Sequence, residues 1–322
     1  MNKETILSGI QPTGKLHIGN YLGALKNFVE LQNNHECYFF IADYHSLTEN
    51  YDPKEKVKQI NELTADYLAA GLDPKKCTIF VQSHIPQHFE LAWIFNCVTP
   101  ISYLERMTQY KDKSERQKEN INVGLFDYPV LQAADILIYK VTAVPVGQDQ
   151  DQHVELTRQI AKFFNNRFGQ TFTEPKTIHT ETPKIMSLLL PDKKMSKSLG
   201  DNHCIYLDDE PEAIKQKLAK AVTDTGDGQS RGAKNLLDLV EIFSPAKTYQ
   251  KFMTDSRNGS LKYSELKATL AEDIAKYFAD FRKKKKSISD KEIKKILETG
   301  AKKAEAVAQK TMTEVRKIIG VR

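Results

Sequence analysis

The chain has 322 residues, of which 40% are hydrophobic and 28% charged, with a formal net charge of +5. No apolar run approaches the roughly 18 residues that a membrane-crossing helix needs, so no membrane span is expected, and the length suits one large domain plus a smaller one. Four cysteines without a close pair (Cys37, Cys77, Cys97, Cys204) fit neither a zinc knuckle nor a cluster, so no metal site is expected. Met1–Thr5 runs straight into a strand-like segment with no signal-peptide core, and the expected compartment is the cytoplasm. The positive surplus is uneven. Residues 1–200 carry 22 Lys and Arg against 23 Asp and Glu, whereas 201–322 carry 25 against 19. A basic tail of that kind suggests a polyanionic partner.

In chain order, Thr5–Ile10 reads as a buried strand, and Ile18, Leu22, Leu25 and Val29 then recur at helical spacing. Cys37–Ala42 is a second strand. Asp52-Pro53 starts a helix that runs to about Ala70 and is closed by Gly71. Thr78–Gln82 is a third strand, followed by a helix from about Gln87. Ala143–Gly147 is a later strand, and Gln150–Phe164 a helix. Strands alternating with helices predict an α/β fold, an open parallel Rossmann-like sheet. Such sheets bind ligands beyond the carboxyl ends of their strands, where Gln11, Asp43, Gln82 and Gly147 fall. From Pro211 onward strand signals disappear and helical spacing continues to the end. The predicted domains are therefore 1–200, α/β and nucleotide-binding, and 201–322, all-helical.

Two short motifs carry the chemistry. Gln11-Pro12-Thr13-Gly14-Lys15-Leu16-His17-Ile18-Gly19-Asn20 joins the first strand to the first helix. Pro and Gly suit a tight turn, and the helix start offers N–H groups to an anion. The spacing is not that of a Walker loop. The second motif, Lys193-Lys194-Met195-Ser196-Lys197-Ser198, is a lysine-rich loop by composition. Alone, each has a plain structural explanation: a capped turn, and a solvated surface.

Together, and in this order, they resemble the split signature of class I aminoacyl-tRNA synthetases. Residues 8–25 resemble the N-terminal signature of the bacterial-type tryptophanyl-tRNA synthetases almost residue for residue. That resemblance implies amino-acid activation by ATP with Mg²⁺, then transfer to tRNA(Trp) with release of AMP and pyrophosphate. It implies that Gln11, Pro12 and Thr13 approach ATP, that His17 holds phosphates, and that Gly19 and Asn20 pack under the adenosine. Lys194, Met195, Ser196, Lys197 and Ser198 would close over the phosphates, helped by Lys113. Both reactants are anionic, so the transition state needs cations more than a general base. The run Val144-Pro145-Val146-Gly147-Gln148-Asp149-Gln150 matches the family's nucleotide stretch. It assigns Gly147, Gln148 and Asp149 to ATP, with Asp149 at the ribose, and Ile185 falls where the backbone meets adenine.

For the amino acid, the resemblance implies Asp135 as acceptor of the indole N–H. It adds His45 in the pocket and Tyr128 and Gln150 near the substrate ammonium. Three positions depart from the family pattern: Leu7 for a phenylalanine, Gln132 for a methionine, and Gln148 for a glutamate. The first two bear on pocket shape and make Gln132-Ala133-Ala134-Asp135 look like a tyrosyl-tRNA synthetase run, so a tyrosine–tRNA ligase is the alternative. A nucleotidyltransferase would need neither the lysine loop nor the basic tail. A non-catalytic RNA-binding module would need neither His17, Lys194, Lys197 nor Asp135. The family's homodimer is expected here, with 87–125 as a candidate interface, and the basic helical tail is expected to meet the tRNA anticodon stem.

Overall fold

The computed structural model describes residues 3–108, 110, 121–147, 151–179, 183–224 and 230–321. The strands are β1 (Thr5–Ile10), β2 (Glu36–Ile41), β3 (Cys77–Val81), β4 (Ala143–Val146) and β5 (Lys176–His179). The α-helices begin with α1 (Ile18–Asn20), α2 (Lys26–Leu31), α3 (Pro53–Ala70), α4 (Gln87–Asn96), α5 (Ile101–Glu105), α6 (Val123–Ile138) and α7 (Asp151–Phe168). They continue with α8 (Pro211–Lys220), α9 (Arg231–Phe243), α10 (Ala246–Arg257), α11 (Tyr263–Tyr277), α12 (Ala279–Ser287) and α13 (Asp290–Ile319).

Packing divides the chain into two compact units. One comprises Met1–Gly14, Asn27–Glu181 and Ile288–Arg322; the other comprises Lys15–Lys26 and Thr182–Ser287. The expected division after residue 200 follows the change from alternating strands and helices to helical spacing alone, whereas these units group residues by packing.

The first unit holds the sheet, in the order β3-β2-β1-β4-β5 with every pairing parallel. The expected parallel α/β sheet is therefore present. The order reverses between β1 and β4, the switch point where such sheets leave a crevice at their carboxyl ends. Gln11 and Gly147 follow those two strands. β5 was not foreseen: its four residues are half-buried or exposed and show no apolar run. Helix α3 starts and stops as predicted. The Asp52 side chain accepts from the Lys54 N–H, Pro53 opens the first turn, and Gly71 closes it at φ 115°.

The main core lies against the sheet and combines Leu7, Phe40 and Phe80 with apolar faces of α4, α6 and α7. Ala304, Ala308 and Met312 of α13 join it, so the last helix is part of this unit's core. Helix α13 also covers the edge strand β3, which blunts an otherwise open edge. A Cβ at Gly300 would come within 1.8 Å of the Ile79 carbonyl oxygen, so only glycine permits that approach. The second unit is built from α8 to α12 and the segments around 15–26 and 185–207. There the predicted first helix is broken: α1 gives way to a π-helical turn, Tyr21–Leu25.

Candidate active site

In the first unit, α6 carries Asp135 to a position with no exposure. The Asn122 side chain caps this helix by accepting from the Leu125 N–H, and apolar residues on both sides of Asp135 bury it. Its carboxylate is fully engaged. His45 Nε2 lies 2.7 Å from Oδ2, His88 Nδ1 lies 2.5 Å from Oδ1, and Gln82 Nε2 donates to both oxygens at 2.9 and 3.0 Å. Behind it, the Tyr139 hydroxyl is 2.7 Å from His88 Nε2. A single set of roles satisfies this chain. Both histidines donate to the carboxylate, and Tyr139 donates to His88. Burial pushes the Asp135 pKa up, but the adjacent His45 and His88 outweigh it, so the carboxyl lies below its ordinary range.

His45 is 7% exposed and lies edge-on to the Tyr128 ring. The Tyr128 hydroxyl meets His153 Nε2 at 2.9 Å. Leu7 is buried on β1 in the same core, and Gln132 sits half-buried one turn before Asp135. So Leu7, His45, Tyr128, Gln132 and Asp135 fall together in one unit. Sequence reasoning missed His88 and Tyr139 and left Gln82 without a role. The available signal was the polar run Gln82-Ser83-His84-Ile85-Pro86-Gln87-His88 at a strand's carboxyl end, where a buried His needs a partner.

The second unit holds residues 15–20 of the first motif together with the whole lysine loop. Residues 16–18 pair antiparallel with 205–207: Leu207 N–H donates to the Leu16 carbonyl at 3.0 Å, and Ile18 N–H to the Ile205 carbonyl at 2.9 Å. The lysine loop is anchored alongside. Met195 N–H donates to the Ile185 carbonyl at 2.9 Å, Met186 bridges to Lys194, and Ile185 and Met195 are both buried. Lys194 and Ser198 are exposed, Ser196 and Lys197 half-buried, and the Ser196 and Ser198 hydroxyls lie 2.9 Å apart.

His17 caps α1. Its Nδ1 accepts the Gly19 N–H at 3.1 Å, and its own N–H donates to Asn20 Oδ1 at 3.1 Å. With Nδ1 accepting, the neutral ring carries its proton on Nε2 and presents a donor. Burial, then the charges of Lys197 and Lys194, lower the His17 pKa from 6.5 to about 4. The shift places both lysines' positive field at this ring, which is the electrostatics an anionic ligand would meet. The sign follows. Because the folded value lies below the unfolded one, the stability that His17 contributes is complete above pH 6.5 and is lost as pH falls toward about 4. We expect the His17 ring C–H resonances to stay unshifted by pH between about 8 and 6 and to move only near pH 4. Lys197→Ala should raise that midpoint, and a wild-type midpoint near 6.5 would refute the assignment.

Gln11, Pro12 and Thr13 follow β1 in the first unit, with Thr13 N–H donating to the Gln11 carbonyl at 2.9 Å. Gly147 follows β4. Lys113, Gln148, Asp149 and Gln150 lie outside the described residues, so the structure does not place them.

A family model described as class I tRNA synthetases for W and Y matches residues 2–242. A tryptophan–tRNA ligase of Caldanaerobacter subterraneus is 46% identical over 324 residues, covering 98% of both chains. One from Helicobacter pylori is 41% identical over 331 residues, covering 100% of both. The crystal structure of tryptophanyl-tRNA synthetase from Campylobacter jejuni complexed with ADP and tryptophan is 34% identical with a TM-score of 0.87, covering 98% of this chain and 99% of that one. With the family model matched over residues 2–242 and relatives 41% and 46% identical along nearly the whole chain, the chain belongs to the class I aminoacyl-tRNA synthetases, in the tryptophan–tRNA ligase family.

Proposed function

We propose that this chain activates L-tryptophan with ATP and transfers it to tRNA(Trp), using the two site regions described above. The observation that carries the reading is that one unit sets His17 in the positive field of Lys197 and Lys194, while the other buries an acceptor, Asp135. The carboxylate of tryptophan attacks the α-phosphorus of ATP and pyrophosphate leaves. No proton has to be removed from the nucleophile, so the protein's work is alignment and charge compensation. His17 Nε2–H donates to a phosphate oxygen, and Lys194 and Lys197 stabilise charge on the departing pyrophosphate. Mg²⁺ enters with ATP as part of the substrate. Gln11, Pro12, Thr13, Gly19, Asn20, Gly147 and Ile185 are the proposed nucleotide contacts, with Lys113, Gln148 and Asp149 carried by family resemblance.

The indole N–H goes to Asp135, within a pocket that includes Leu7, His45, Tyr128 and Gln132, and Gln150 is assigned to the ammonium by resemblance. The tRNA is proposed to meet the basic helical part, residues 201–322. Exposed apolar side chains at Phe89, Trp93 and Val123 support a homodimer through the α4–α6 region. Among the described residues no helix is long and apolar enough to cross a membrane, and a cytoplasmic site of action is proposed on that reading.

Exchange of pyrophosphate into ATP without tRNA tests the reading, with tryptophan and tyrosine supplied separately. We expect exchange with tryptophan alone and sedimentation at twice the chain mass. Exchange with tyrosine alone would make Asp135 a reader of phenols and overturn the substrate, and monomer mass at micromolar concentration would overturn the dimer.

A further inference from the structure

Lys217 is a buried lysine that the reaction described above leaves without a role. It projects from α8 and is 5% exposed. Its Nζ lies 2.8 Å from Asp209 Oδ2 and 3.3 Å from Asp201 Oδ1, and 4.3 Å from the centroid of the Tyr206 ring. Burying an ammonium is costly unless such partners surround it, and these partners lie on one short segment. Asp201 follows Gly200 directly, at the exit of the lysine loop. Tyr206 is the residue that bridges to His17. Asp209 Oδ2 also accepts the Tyr206 N–H at 2.9 Å, which fixes the strip that pairs with 16–18. The lysine loop ends in a single turn, Lys197–Leu199, and one more, Asp201–His203, leads from it to that strip. One ammonium therefore grips the segment at both ends.

We propose that Lys217 is a positioning residue for amino-acid activation. It sets the spacing between Lys197 and His17 by tying Asp201 to the Tyr206–Asp209 turn, and it touches no substrate itself. Misplacing a reacting group by about 1 Å can cost on the order of 10²-fold in rate, so a loosened clasp should register in kcat. The Asp135 pocket belongs to the other unit, so the KM for tryptophan should not move.

The proposal rests on the assignment of Lys197 to activation, and the test separates the two. Asp201 has a 69% exposed side chain, so Asp201→Asn leaves the fold intact while weakening the clasp. We expect Asp201→Asn to lower kcat for pyrophosphate exchange about tenfold with the KM for tryptophan unchanged. Lys217→Met should lower kcat at least as much, Lys217→Arg should retain more activity than Lys217→Met, and adding Asp201→Asn to Lys217→Met should cause no further loss. If Lys217→Met does not fold, Asp201→Asn alone still decides. An unchanged kcat in Asp201→Asn, or a fall in melting temperature without a fall in kcat, overturns the clasp. Intact exchange in Lys197→Ala would instead overturn the activation reading beneath it.

Discussion

Lys197→Ala is expected to lower kcat for ATP–pyrophosphate exchange about 10²- to 10³-fold while leaving the KM for tryptophan within about twofold. The asymmetry follows from when the lysine acts. Negative charge accumulates on the departing pyrophosphate as the bond to the α-phosphorus stretches, so a cation aimed there binds the transition state better than the ground state. Lys197 is the better placed of the two loop lysines. It begins a single 3₁₀ turn, is half-buried, and contributes more than Lys194 to lowering the His17 pKa. Lys194 is exposed, so solvent screens its charge more strongly. Lys194→Ala should therefore cost less than Lys197→Ala, and Lys193→Ala, an exposed neighbour with no assigned role, should cost little. The Lys194 and Lys193 variants should leave the melting temperature nearly unchanged, because both side chains are exposed. Exchange at the wild-type rate in Lys197→Ala would remove the lysine loop from the mechanism.

The legible parts of the sequence are those where local chemistry decides the outcome. Asp52-Pro53 and Gly71 mark the ends of α3 because an N-cap acceptor, a proline in the first turn and a left-handed glycine each act on their own backbone. The mostly buried strands β2 and β3 stand out as apolar runs. β5 does not, because pairing with β4 holds it in the sheet while its side chains remain half-exposed. The role of α13 was hidden for a different reason. Its amphipathic pattern says that one face is buried but not against what, and the decisive residue, Gly300, reads in sequence only as a weak point in a helix. At the site, the two signature motifs were legible and their adjacency was not, since it depends on pairing of 16–18 with 205–207 across about 190 residues. His88 shows the same limit. A histidine in an apolar helix implies a partner, and only the fold reveals that the partner is the carboxylate assigned to the substrate.

That shared carboxylate makes Asp135→Asn the second informative substitution. An ionised carboxylate offers about four acceptor positions, and His45, His88 and Gln82 make four contacts to Asp135. An indole N–H can be accepted only where one of these donors yields. His45 is the candidate, because His88 is fully buried and backed by Tyr139, whereas His45 retains some exposure and faces Tyr128. Asparagine would replace one acceptor oxygen with a donor pointing at donors. Two losses should follow. Tryptophan kcat/KM should fall about 10³-fold, or about 4 kcal/mol, the range seen when one member of a buried charged hydrogen-bonded pair is removed. The KM for ATP should change little. Stability should also fall, by about 3 kcal/mol, because His45, His88 and Gln82 lose a charged acceptor without access to water. That stability difference should be present at neutral pH, where Asp135 is ionised, and should shrink only as pH falls through its lowered folded-state pKa. Urea unfolding of the wild type and the variant at pH 7, alongside tryptophan titrations of exchange, reads both losses. A variant that keeps tryptophan kcat/KM within about tenfold while losing stability would make Asp135 the structural anchor of His45 and His88, and would move recognition of the indole to another group.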